Sequence, residues 1–127
     1  MKTKRIIVVI TFLLAFVAAG PYAAQGETLS WSAPTTYTDG SSIGSSTITY
    51  TVVWATNSSL NSPTTLASSI SGRSATFSIA TAGMPRGSTI YFGVRATVGG
   101  MNSAYSSPKS WLVPALSPSA PSGLSIQ

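Results

Sequence analysis

From Thr47 to Trp54 the chain alternates: Ile48, Tyr50, Val52 and Trp54 fall on one side, Thr47, Thr49, Thr51 and Val53 on the other. Successive side chains of an extended chain point to opposite faces. This period therefore fits a strand with one buried face and not a helix, whose apolar positions recur every three to four residues. The same period returns four times. Leu29 and Trp31 are flanked by Thr28, Ser30 and Ser32; Ala75, Phe77 and Ile79 form another inward set; Ile90, Phe92, Val94 and Ala96 form a third; Trp111 and Val113 form a weaker one. A short strand is also expected from Thr65 to Ile70. Turn formers lie between these runs: Pro34, Asp39-Gly40, Gly44, Asn57 to Pro63, Ser71-Gly72, Gly83 to Gly87, Gly99-Gly100 and Ser106 to Pro108. Short strands at this spacing, each with one apolar face, describe an all-β, two-sheet antiparallel β-sandwich. Trp31, Tyr50, Trp54, Phe77 and Phe92 are its expected core. Tyr37, Tyr91 and Tyr105 fall in loops or on outward positions and are the candidates for surface contacts.

The N-terminal segment has a different character. Met1-Lys2-Thr3-Lys4-Arg5 is a positive cluster, and the apolar run from Ile6 to Ala19 is shorter than the ~20 residues that a membrane-spanning helix needs. Gly20-Pro21 then breaks the run, and the small residues Ala23 and Ala24 follow. The pattern is that of a signal helix removed on export. Residues 1–24 are expected to be the signal peptide, cleaved somewhere in 19–25. Residues 25–115 are then the sandwich and 116–127 a Pro/Ser-rich tail. A secreted or cell-surface location follows, with no membrane attachment once the signal is cleaved. Absence of cysteine rules out a lipid-modified N-terminus and any disulfide, so ~100 mature residues must hold together by their core alone.

Chemistry is scarce. The chain has no histidine and no cysteine, and its two carboxylates are Glu27 and Asp39. General acid–base catalysis needs a group that titrates near working pH. Metal sites need imidazole, thiolate or clustered carboxylates, and calcium wants several charged oxygens. No catalytic residue, cofactor site or metal site is expected, and the chain is read as non-enzymatic. Ser106-Ser107-Pro108-Lys109 has the S-x-x-K spacing of some acyl-transfer enzymes, but a proline in a turn separates the pair and the companion motifs are missing. The formal charge of +5 owes three cations to Lys2, Lys4 and Arg5. The remaining Arg73, Arg86, Arg95 and Lys109 are scattered, so no basic face exists to hold nucleic acid. Asn57-Ser58-Ser59 is a glycosylation sequon.

At these residues the chain resembles a fibronectin type III domain. Thr28 to Pro34 is similar to that family's B strand with its core tryptophan, and Ile48 to Trp54 to its C strand. Met84 to Ala96 resembles the E–F corner and F strand. The resemblance runs from about Thr28 to Pro114 and implies the fibronectin type III/immunoglobulin-like sandwich, with adhesion or assembly as the usual work of such domains. Two departures stand out. Ile90 occupies the position of the corner tyrosine, with Tyr91 shifted to the other face. The strand that should precede B has almost no room after the leader, whereas a segment of that character, Pro118-Ser119-Ala120-Pro121-Ser122-Gly123-Leu124-Ser125-Ile126, stands at the other end.

A sandwich without its first strand leaves a row of unpaired backbone groups beside Trp31, and such edges attract other strands. The tail could fill the gap in cis or on a neighbour, or a different protein could fill it. Leu124 and Ile126 are the anchors this implies. The expected function is a structural or assembly subunit of a cell-surface or extracellular structure. Its expected partner is a protein: a filament or surface subunit, or a second copy of itself. In size, leader and lack of chemistry the chain is similar to the separately encoded globular C-terminal half of a split type IV pilin. The alternative is a carbohydrate-binding or adhesion accessory module with a polysaccharide partner.

Overall fold

The computed structural model describes residues 13–15 and 26–127. Among them the strands are β1 (Leu13–Ala15), β2 (Glu27–Ser30), β3 (Ile48–Ala55), β4 (Thr64–Ile70), β5 (Ser74–Phe77), β6 (Thr89–Val98), β7 (Met101–Asn102) and β8 (Lys109–Leu112). A one-turn helix, α1 (Ile79–Ala82), links β5 to β6. One sheet runs β1-β2-β5; the other runs β4-β3-β6, with β7 and β8 both paired along the free side of β6. Every pairing is antiparallel. The all-β antiparallel sandwich expected from the alternation is the fold observed.

Register explains why. β3 and β6 pair from Ile48 opposite Val98 to Ala55 opposite Tyr91. This sets Tyr50 beside Ala96, Val52 beside Val94 and Trp54 beside Phe92, so both inward sets share one face. A slip by one residue would turn every one of these side chains to solvent. Between the sheets, Trp31 meets Tyr50 edge-on at 5.3 Å. Phe77 lies 5.3 Å from Phe92 and 5.7 Å from Trp111. Leu29, Val52, Ile90, Val94 and Val113 fill the remaining space and are fully buried. Burial raises the Tyr50 phenol above its ordinary value, and the nearby Arg73 charge opposes that in part.

The edge along β6 is unusual. Between β7 and β8 the chain swings off the ladder, and two buried serines close the gap. Ser103 N donates to Ala96 O at 2.8 Å while Ser103 Oγ accepts from Ala96 N at 2.8 Å. Ser106 N donates to Val94 O at 2.8 Å while Ser106 Oγ accepts from Val94 N at 3.1 Å. Each serine thus serves both backbone groups of one β6 residue. A buried N–H left without an acceptor is costly.

On the outer face of the same sheet, the loop after β3 folds down. The side chain of Asn57 accepts from Asn61 N at 2.9 Å and donates to Asn61 O at 3.0 Å, closing the loop on itself. That closure holds Leu60 at φ 54 and buries it over Gly93. A Cβ on Gly93 would stand 2.5 Å from Leu60 Cδ1, so only glycine leaves room for this side chain.

One expectation needs correction, and two others meet the N-terminal segment. The alternation puts Ile79 on the inward face of a strand running from Ala75, but β5 ends at Phe77. Ser78 caps a helical turn, accepting from Thr81 N, and Gly83 at φ 68 ends it. The signal helix over 1–24 lies mostly outside the described residues, and where the chain is described, at Leu13–Ala15, it forms a strand. The edge expected to be open beside Trp31 is consequently paired in the full chain: Leu13 stands opposite Ser30, Leu14 opposite Leu29 and Ala15 opposite Thr28. An apolar segment with free backbone groups satisfies a bare edge as readily as a dedicated first strand does.

Candidate functional site

No cluster of three or more His, Cys, Asp or Glu exists among the described residues, and no described helix is long and apolar enough to cross a membrane. Glu27 opens β2 opposite Phe77, and its partial burial raises its carboxyl above the usual range. Asp39 sits far along the chain in a turn, where Oδ1 accepts from Ser41 N at 2.9 Å and from Ser41 Oγ at 2.5 Å. Ser106 of the S-x-x-K run is bound to the backbone of β6, while Lys109 is exposed at the start of β8. The Asn57 side-chain nitrogen of the sequon is engaged by Asn61 O. The geometry gives these polar groups structural work.

What the structure offers instead is surfaces. The β2 edge is the first. β2 pairs with β5 on one side, and Trp31 N carries that ladder one residue further by donating to Arg73 O at 3.0 Å. On its other side the partner among the described residues is β1, three residues long and drawn from the segment read as a leader. Behind this edge stand Leu29 and Trp31 of the main core.

The tail is the second surface. After Val113 the chain forms no further strand. Leu116, Leu124 and Ile126 are exposed, the last two to 100% and 98%. It leaves the sandwich beside the β8–β6 end, where Val113 N donates to Ser88 O, Gly87 N donates to Val113 O and Arg86 Nη1 donates to Pro114 O at 3.4 Å.

A third is a cleft of about 390 Å³ on the opposite flank, between the free edges of β4 and β5. Trp54, Leu66, Phe77 and Ala82 give it an apolar floor, and the hydroxyls of Thr64, Thr65, Thr76, Ser78 and Thr81 surround it. The Trp54 indole nitrogen is buried with no hydrogen-bond partner.

The three tyrosines separate. Tyr91 and Arg95 lie on the outward face of β6, and the Arg95 guanidinium carbon stands 5.4 Å from the centre of the Tyr105 ring. Tyr105 lies beside Gly93 on that same face. Tyr37 packs with Ile43 and Val98 at the far end of β6, ~23 Å from Tyr91 at a strand's rise per residue. Tyr91 and Tyr105 can share a contact; Tyr37 stands apart. Sequence reasoning missed the cleft, because its lining comes from β3, β4, β5 and α1, which the linear pattern does not connect.

No family model matches the chain, and no curated protein matches it. Solved structures do. The crystal structure of a Fn3-like protein from Clostridium thermocellum superposes with a TM-score of 0.53 at 20% identity, covering 85% of this chain and 91% of that one. The solution structure of a fibronectin type III domain derived from a human protein gives 0.58 at 17% identity, covering 93% and 85%.

The fold is that of a fibronectin type III domain.

A further solution structure, the fourth such domain of a human protein, agrees at a TM-score of 0.55 and 19% identity, covering 92% of this chain and 82% of that one. Within the fibronectin type III frame, β2 takes the place of strand B, β3 of C and β6 of F, as the resemblance implied. β1 stands where the first strand should. Ile90, in the position of the corner tyrosine, is fully buried, and Tyr91 faces outward.

Proposed function

We propose that this chain is an exported, non-enzymatic fibronectin type III-like subunit of a cell-surface or extracellular structure, pairing with a filament or pilus protein. The observation that carries this reading is the β2 edge. Its outer partner is the short strand Leu13–Ala15, which lies inside the apolar run read as a signal. Removal of that run on export takes away the β1 strand that pairs with Thr28–Ser30, over Leu29 and Trp31. An edge of this kind recruits an extended segment by main-chain hydrogen bonds. The scarcity of titratable side chains supports the same reading.

Two measurements test it. Intact mass of the material exported by its native host is expected to start between Gly20 and Gly26. A chain still carrying Ile6 to Ala19 would overturn the reading. Affinity capture of that material, followed by mass spectrometry, is expected to recover a filament or surface subunit.

The cleft between β4 and β5 favours a second reading, a carbohydrate-binding accessory module. An aromatic floor with surrounding hydroxyls and no charged side chain suits a neutral polyhydroxylated ligand. Retardation on polysaccharide gels that disappears with Trp54→Phe and Thr65→Val would support it over the first.

A further inference from the structure

We infer that, once the leader is gone, the β2 edge of each subunit is filled by the tail of a second copy of this chain, with Leu124 and Ile126 directed into the core beside Leu29. The inference deepens the assembly reading above and rests on removal of the leader.

Three observations converge on this occupant. The first is pattern. Leu124 and Ile126 stand two apart and share one face of an extended strand. On β2, Leu29 points inward and Thr28 and Ser30 flank it, so a tail strand laid alongside turns both apolar residues to the core and Ser125 outward. The second is exposure. Leu124 and Ile126 are the most exposed large apolar side chains among the described residues, at 100% and 98%. Isolated exposed leucines are ordinary. An alternating pair preceded by Pro118 and Pro121, residues that sheets tolerate only at their edges, is more specific.

The third observation is direction, and it selects a second copy over the subunit's own tail. β1 runs from the level of Ser30 toward that of Thr28, antiparallel to β2. It therefore heads for the end of the sandwich where Glu27 pairs with Phe77 and the chain turns through α1 toward β6. The tail leaves from that same end, because Leu112 stands opposite Thr89 and Val113 is bonded to Ser88. Followed directly along its own β2, the tail would rise from Glu27 toward Ser30 and lie parallel to it. Entering a copy stacked beyond that end, it meets β2 at the Ser30 side first and descends antiparallel, as β1 does. Residues 115–123 reach ~30 Å when extended, enough to bridge two stacked sandwiches. Each copy then donates at one end and accepts at the other. Such a head-to-tail contact does not close on itself and builds an open chain.

The experiment uses the chain as exported, without its leader. Light scattering and native mass spectrometry over rising concentration are expected to show a ladder of monomer, dimer, trimer and longer species. Deletion of residues 116–127 should leave only monomer and, added to the intact chain, should shorten the ladder, since such a copy accepts but cannot donate. Leu124→Asp with Ile126→Asp should abolish the ladder without lowering the melting point, because neither side chain contributes to the monomer core. The absence of native cysteine permits a direct check of geometry. Ser125→Cys in one copy and Ser30→Cys or Thr28→Cys in a tail-deleted copy should form a mixed disulfide. A processed chain that stays monomeric at every concentration, or a ladder indifferent to tail deletion, would overturn the inference and leave the assembly reading standing. A disulfide forming only within one chain, with a lower melting point on tail deletion, would overturn it in favour of cis closure. An exported chain that retains residues 13–15 would instead overturn the assembly reading.

Discussion

Replacing Ser106 with alanine removes one oxygen from a place that water cannot readily enter. Ser106 is 5% exposed, Val94 is fully buried, and Ser106 Oγ is the acceptor for Val94 N at 3.1 Å. The reciprocal bond, Ser106 N to Val94 O at 2.8 Å, survives the substitution. What is lost is the partner of one buried N–H. A hydrogen bond of ordinary net worth contributes about 0.5–1.5 kcal/mol, whereas a buried donor stranded by loss of its partner costs about 1–3 kcal/mol. The second case applies here, because the void left by one oxygen at so buried a position is too small and enclosed for water to take its place. For a domain of this size each kcal/mol moves the melting point by about 4–8 °C, so a fall of about 4–24 °C is expected. Ser107→Ala is the control, exposed and one residue away, and should stay within about 0.5 kcal/mol of the parent. Thermal and urea unfolding followed by circular dichroism measure both variants. Amide exchange adds a local readout, with the Val94 N–H expected to exchange faster. Equal stability of Ser106→Ala and Ser107→Ala would refute the claim that the hydroxyl completes the β6 ladder.

Other outcomes follow from the same packing. Phe92→Ala should cost about 3–5 kcal/mol, most of the stability of a marginal domain; a soluble variant with an unchanged urea midpoint would mean the inward face is misassigned. Tyr50 has a raised pKa in the folded state, so it favours folding below its unfolded value near 10 and stability falls as pH rises through that value toward the folded one. Tyr50→Phe should flatten this alkaline loss in urea titrations between neutral and strongly basic pH. Glu27 is also raised, which means its ionised form opposes folding above the folded pKa, and protonation on acidification relieves that. Glu27→Gln should therefore gain relative stability at neutral pH and converge with the parent in acid; a parent that loses ground to the variant on acidification would contradict the assignment.

The sandwich was legible because its alternating runs carry register as well as strand identity. Once Tyr50, Val52 and Trp54 must face the same core as Phe92, Val94 and Ala96, little freedom remains in how β3 and β6 pair. Other features were hidden for specific physical reasons. In a chain this rich in serine nothing in the sequence distinguishes Ser103 and Ser106 from serines that only meet water; their work appears when the strand edge they repair is seen. Ile79 continued the inward phase of Ala75 and Phe77, and that continuity masked the capping signals at Ser78 and Gly83 that would have marked the turn of helix. Leu60 is a lone apolar residue in a turn, without a period to give it a face. The cleft depends on how far apart β4 and β5 stand, a quantity that only the folded sheets determine.

One missing methyl group sets how tightly a sequon loop is held to the sheet. Leu60 can rest on the sheet because Gly93 offers no Cβ, and Leu60 is what ties the loop of Asn57 to the body of the domain. While the loop is shut, both polar atoms of the Asn57 side chain are bonded to the Asn61 backbone, and a transferase acting on the folded chain would have to open that closure to take the amide. A side chain at position 93 would unseat Leu60, loosen that closure and lower the cost of reaching the amide in the folded chain. The strand would thereby set, from beneath, how readily the loop above it opens.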